Sequence, residues 1–476
     1  MAVHDVTRDR IWSYRALDAY ASQWCDWLRL RGVQHGAFVA ALAGNCIELM
    51  ALYVACGRLG AALVPLNWRL APRELDAIVD QVQPVVCLTD DRARSDPLAT
   101  ASQWTCFDDL VLPDPSMDVD AELPMLWPDH VAMVLYTSGS TGAPKGAMLT
   151  HGQVLANAIA TVTGWQLAAT DRVPIATPLF HTGGWHVFTT PLWWAGGSVV
   201  LLGGFDAERW LGVLEATACT VAFAVPTQLT MLLAANDWGR VLPRLKWIIA
   251  GGAACPTTLA TRVRAAGYVL REGFGMTEFG PNCFCTSDAH TLPPGVVGWP
   301  VPFAELRLVD PEGRDVAHGE VGELWVRGPQ RFAGYLRDPA RTDEAITVDG
   351  WFRTGDLLSR EPNGAYRVRG RRKEMFISGG ENVFPAEVEA VLLEHPDIAE
   401  VAVLGIPDPM WGEVGCAVVT TRADLVVEAD AVRAWARTRL AAYKVPKQIV
   451  QLPTLPRLGS GKIDRAVLAT LVRREA

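Results

Sequence analysis

The chain has 476 residues, of which 50% are hydrophobic and 20% charged, with a formal net charge of −9. Domains run at roughly 100–200 residues, so two or more units are expected, and a composition without low-complexity tracts excludes a disordered or fibrous protein. The acidic balance excludes a general nucleic-acid binder, which needs a basic face to displace counterions from phosphates.

Met1 to Arg10 carries Asp5, Arg8, Asp9 and Arg10 and no apolar run, so it does not read as a signal peptide. Of the ten cysteines only Cys283 and Cys285 are close, and no C-x-x-C spacing occurs, which fits reduced thiols and a cytoplasmic location. From Tyr14 to about Leu110, apolar residues at helical spacing alternate with β-type runs such as Phe38 to Leu42 and Pro84 to Leu88. The stretch Ile47 to Leu66 is the most membrane-like, but it holds Glu48 and Arg58 and ends at Pro65. It predicts a buried helix followed by a strand rather than an integral membrane span.

After His151, strands are predicted at Ser198 to Leu202, Thr220 to Ala224 and Trp247 to Ala250, the rhythm of α/β layers around parallel strands. Beyond Pro300, Glu305 to Val309 and Gly322 to Arg327 alternate in period two and predict antiparallel strands of a smaller barrel-like unit. A boundary is expected between residues 370 and 371, where strand-like Tyr366 to Arg369 meets Gly370 and three basic residues. The resulting fold class is α/β: an N-terminal domain (1–370) of layered α/β subdomains with the barrel-like unit, then a small mobile α+β domain (371–476). The pieces expected of the latter are a helix opening at Pro385, strands at Val401 to Leu404 and Cys416 to Thr420, a helix near Ala431 to Leu440, and a terminal strand near Gln448 to Leu452.

The densest chemical signal is Tyr136-Thr-Ser-Gly-Ser-Thr-Gly-Ala-Pro-Lys-Gly146, behind the apolar run Val131 to Leu135. Its backbone N–H groups, the hydroxyls of Thr137, Ser138, Ser140 and Thr141, the permissive Gly139 and the charge of Lys145 suit phosphate oxygens. Composition alone would equally describe a Gly/Ser surface loop. It is not a Walker loop, because Lys145 follows Pro144 and precedes Gly146, and Gly461-Lys462 fails the same test with Ile463 after it.

Six further motifs follow in order: Pro178-Leu-Phe-His181, Gly273-Phe-Gly-Met-Thr-Glu278, Trp351-Phe-Arg-Thr-Gly-Asp356, Gly370-Arg-Arg-Lys-Glu374, Ser378-Gly-Gly-Glu-Asn382 and Pro456-Arg-Leu-Gly-Ser-Gly-Lys462. With the loop above, over nearly the whole chain, this series resembles the adenylate-forming superfamily of acyl-CoA synthetases, amino-acid adenylation domains and beetle luciferases. The resemblance implies an AMP-forming acid–thiol ligase that uses ATP, Mg²⁺ and coenzyme A. Glu278 would take Mg²⁺, with Thr277 beside it at the phosphate. Gly273, Phe274, Gly275 and Arg371 would contact the nucleotide, and Asp356 would accept from the ribose hydroxyls. Gly379, Gly380 and Glu381 complete the expected cofactor-binding set, Lys462 would stabilise charge as the acid attacks the α-phosphate, and Lys373 falls at the hinge. Taken singly, each of these residues would read as a turn, a cap or a solvated side chain.

Relatives that activate amino acids usually place Asp where this chain has His181, which cannot pair with a substrate ammonium. A plain carboxylic acid, fatty or aryl, is therefore expected, with His181 at the acyl wall or the thiol tunnel. Trp185, Val225, Gly251, Gly252, Ala253 and Met276 are expected to line the acyl site, the glycines leaving space and Trp185 closing it. The thiol acceptor stays open between coenzyme A and a carrier-protein pantetheine, a homodimer stays open as an assembly, and a non-catalytic acyl-nucleotide sensor is the rival outside catalysis. Glu374 and Leu458 replace the Asp and Thr of many members, beside the main ligands rather than at them.

Overall fold

A computed structural model describes residues 1–113, 124–137, 144–235, 237–286, 292–379, 381–422, 425–458 and 462–475. Its largest sheet has seven strands, in the order Gly334–Tyr335, Lys145–Thr150, Val131–Thr137, Ala62–Pro65, Phe38–Leu42, Val86–Thr89 and Trp104–Cys106. The inner strands Phe38–Leu42 and Ala62–Pro65 are nearly continuous apolar runs, because a parallel strand covered on both faces has no solvent side. The membrane-like stretch is resolved as expected, with helix Ile47–Leu59 stopped by left-handed Gly60 and followed by strand Ala62–Pro65. Among the described residues no helix is long and apolar enough to cross a membrane.

A four-stranded sheet contains Ser198–Leu201 and Arg172–Ile175, and a parallel three-stranded sheet contains Val221–Ala224, Trp247–Ala250 and Leu270–Glu272. The Arg172 N–H donates to Thr220 Oγ1 and the Thr220 N–H returns to the Arg172 carbonyl, both at 2.9 Å, which joins the two sheets. Ala224, Ala250 and Glu272 are aligned partners, so Val225, Gly251 and Gly273 leave the sheet at one carboxyl edge. That edge is where open parallel sheets bind ligands.

The antiparallel strands expected beyond Pro300 belong to a six-stranded sheet in which Asp356 and Arg371 are aligned partners. Residues 376–451 form a five-stranded sheet with helices Pro385–Leu392 and Ala429–Arg437. One element was not expected: helix Arg465–Glu475, which buries Leu468 and Val472 with Cys416 and Val418 of that sheet.

Candidate active site

The edge of the seven-stranded sheet brings three polar side chains together. Thr137 and Lys145 are register partners that bracket residues 138–143, so Ser138, Gly139, Ser140 and Thr141 lie outside the described residues. The Lys145 Nζ donates to the Tyr335 hydroxyl at 2.5 Å and lies 3.3 Å from Glu278 Oε1, and the Tyr335 hydroxyl donates to that same oxygen at 2.9 Å. Burial and the Glu278 charge push the Tyr335 phenol far above its usual range. Gln153 Nε2 donates to the Thr277 carbonyl at 3.4 Å. Sequence reading selected neither Tyr335 nor Gln153.

The turn before Glu278 explains its glycines. A Cβ on Gly273 would stand 2.8 Å from Ile249 Cγ2, and one on Gly275 would stand 2.2 Å from the Pro281 backbone. The chain doubles back here, with the Met276 N–H donating to the Gly280 carbonyl at 3.1 Å. Gly275 is thus required by close backbone approach, and Phe274 braces the turn edge-on against Phe284 at 5.7 Å.

Opposite this turn, Arg371 Nε lies 2.9 Å from Asp356 Oδ1, and the Asp356 carboxyl, 5% exposed, is raised to about 6 by burial, against Arg371 and Lys462 which lower it. Lys462 is anchored through its carbonyl, which accepts from the Leu458 N–H, and the Asp464 N–H donates to the Pro456 carbonyl, both at 2.8 Å. Its side chain keeps an exposed surface although protein surrounds it. Desolvation and then Arg371 lower the ammonium pKa, while Asp356, Glu278 and Glu374 oppose them. Lys373 is lowered by burial and by Arg371. Asp356, Arg371, Glu278 and Glu374 therefore lie within electrostatic reach of Lys462, and Lys145 stands 3.3 Å from Glu278.

Burial, Lys462 and Arg69 hold His181 down at about 4, so its imidazole is neutral. Arg69, which sequence reading also passed over, lies over the rings of Trp68 and Phe180 at 5.0 and 5.9 Å. His181 Nε2, Thr182 Oγ1 and His186 Nε2 are buried with no hydrogen-bond partner among the described residues.

Two expectations for the acyl wall are corrected. Trp185 is 0% exposed, packed on Tyr53, with its indole N–H given to the Leu179 carbonyl, so it is core and lines no open space. The room expected beside Gly251 is filled by the protein: a Cβ there would stand 3.0 Å from Phe223 Cε2, and one on Gly183 would stand 3.4 Å from Phe223 Cε1. Gly252, close to Val225, and Ala253 are exposed, and Met276 is half-buried. A Cβ on Gly379 would meet Trp411 at 2.7 Å, Glu381 sits on an edge strand of the five-stranded sheet, and Gly380 lies outside the described residues.

A family model described as AMP-binding enzyme matches residues 1–336, and one described as AMP-binding enzyme C-terminal domain matches 387–462. The chain is 38% identical to a feruloyl-CoA synthase of Amycolatopsis sp over 95% of this chain and 92% of the relative. It is 37% identical to an indoleacetate–CoA ligase of Aromatoleum aromaticum over 98% and 94%. Among solved structures, ATP-bound MatB from Rhodopseudomonas palustris superposes with a TM-score of 0.91 at 30% identity, covering 99% of this chain and 95% of that one.

Proposed function

We propose, from the premise that this chain belongs to the AMP-binding enzyme family in its acyl-CoA synthetase branch, that it activates an aryl or arylalkanoic acid and passes the acyl group to coenzyme A. The protein is an ATP-dependent, AMP-forming acid–thiol ligase. The observation that carries the site assignment is the gathering of Asp356, Arg371 and Glu278 within electrostatic reach of Lys462, with Arg371 Nε 2.9 Å from Asp356 Oδ1. Asp356 accepts from the ribose, Lys145 and the loop beside it hold the outer phosphates, and Lys462 offsets charge as the carboxylate attacks the α-phosphate. Glu278 suits Mg²⁺: its Oε1 is held by Tyr335 while no described residue donates to Oε2. A hard ion of this kind takes one or two carboxylates and completes its shell with water and phosphate oxygens. Bound there with ATP, Mg²⁺ would supply charge neutralisation at the phosphates. The small unit pivots at Lys373 between an adenylating and a thiol-transfer pose.

For the acid, Phe223 forms an aromatic floor between Gly183 and Gly251, and the unpartnered His181, Thr182 and His186 atoms offer hydrogen bonds to a substituted ring. His181 is neutral and leaves a substrate ammonium without a counter-charge. A panel of aryl, fatty and α-amino acids, assayed for pyrophosphate with and without coenzyme A, tests this reading. Aryl acids are expected to lead. Phe223→Ala should shift the ratio of kcat/KM toward longer acids by about tenfold or more, the worth of one or two methylenes in a pocket. A wild-type preference for fatty or amino acids, or pyrophosphate release without an acyl-CoA product, would refute the acid class or the acceptor respectively.

A further inference from the structure

The bond pattern around Glu278 is unusual for a lysine and a carboxylate with little solvent between them. A charge-assisted pair normally closes to about 2.7–2.9 Å. Here the ammonium stops at 3.3 Å from Glu278 Oε1, because the Tyr335 hydroxyl takes a Lys145 N–H at 2.5 Å and gives its own proton to Oε1 at 2.9 Å. The Tyr335 ring also lies beneath the ammonium, 4.2 Å from centroid to Nζ. The phenol is held rigidly: Tyr335 is paired with Ala147 in the strand next to Lys145, its N–H donates to Thr342 Oγ1 at 2.9 Å, and its ring meets Phe332 edge-on at 4.9 Å. Gly334, with φ of +137°, is needed there because a Cβ would stand 2.7 Å from Thr342.

We propose that Tyr335 is a positioning residue that holds the Lys145 ammonium off Glu278 and turns the second carboxylate oxygen outward to receive Mg²⁺. This rests on the reading of Glu278 as the metal ligand. Without the phenol oxygen, Lys145 collapses onto the carboxylate, and a metal ion must displace an internal cation before it binds. The role is electrostatic insulation, performed by a neutral group that both accepts and donates, a combination that phenylalanine lacks.

Tyr335→Phe keeps the ring and its packing and removes one oxygen. Mn²⁺ serves as a spin probe in the presence of a non-hydrolysable ATP analogue, titrated by electron paramagnetic resonance on the full-length chain. Mn²⁺ affinity should fall by about 10–100-fold, the range for losing a partner of a metal ligand. Binding of the same analogue in EDTA, by calorimetry, should be unchanged, which separates the proposed role from general disturbance of the nucleotide site. Mn²⁺ titrations of Tyr335→Phe and wild type that superimpose would overturn the proposal. Glu278→Gln with undiminished Mn²⁺ affinity would overturn the metal-ligand reading itself, whatever Tyr335→Phe does.

Discussion

The two clusters of side chains proposed to hold the nucleotide are built on opposite principles. In the first, Lys145, Tyr335 and Glu278 touch one another and hang from two paired strands of one sheet and the turn beside them. In the second, the Lys462 ammonium makes no hydrogen bond or ion pair with any described residue, and Asp356, Glu278 and Glu374 favour its charge against desolvation and Arg371. A buried charge left permanently in place must be satisfied in place, because desolvation is not otherwise recovered. A charge needed in only one of two steps can remain unpartnered and be delivered when required. On the proposed mechanism, the first cluster is a fixture and Lys462 is a visitor.

Removing the visitor is expected to have the largest effect. Lys462→Ala should slow acyl-AMP formation by on the order of 10²–10³-fold, the usual loss for one preorganised electrostatic stabiliser. Thioester formation from supplied acyl-AMP and coenzyme A should stay near wild type. Equal loss in both half-reactions would place Lys462 in both poses and erase the contrast. Next comes the pivot. Lys373→Pro locks φ near −65°, and thioester formation should fall roughly tenfold, about 1.4 kcal/mol on the barrier, relative to adenylation. Parallel loss in the two half-reactions would move the pivot elsewhere.

The smallest effect comes from Asp356, where binding and stability should respond to pH with opposite signs. Its carboxyl, raised to about 6, gains its proton as pH falls through that value and stops accepting well from ribose, so AMP affinity measured by calorimetry should drop a few-fold between pH 7 and 5. Because the folded pKa lies above the unfolded one, ionisation costs the fold stability above about 6. That cost is relieved as pH falls toward the unfolded value of 3.8. Arg371→Gln should move the binding midpoint upward, since Arg371 lowers this pKa. A midpoint that stays put would remove Arg371 from the electrostatics of Asp356.

Contiguous signals were legible in the sequence, and signals depending on distant partners were not. Trp247–Ala250 and Glu305–Val309 form strands at the bounds their apolar and alternating patterns predicted. The Gly273 to Glu278 motif could be read, but not that Gly275 is there because Pro281 returns against it. Tyr335 was missed because its partner Lys145 is 190 residues away and only strand pairing brings them together. Trp185 stood beside a motif and was read as wall, yet Tyr53 of a distant helix covers it. The last helix was overlooked although Leu468 and Val472 sit one turn apart, because the apolar run Ala466 to Val472 is short and periodicity alone does not separate helix from strand in a short apolar run.

Arg465 opens that helix three residues after Lys462, and its guanidinium donates to the Val403 carbonyl and to Glu389 while lying 3.5 Å from Glu374, next to Lys373. The start of the last helix is thus tied through one arginine to the segment beside the proposed pivot. If the small unit pivots there as proposed, pyrophosphate departs before the thiol is admitted, and initial-rate plots against acid or ATP at several coenzyme A concentrations should run parallel rather than converge.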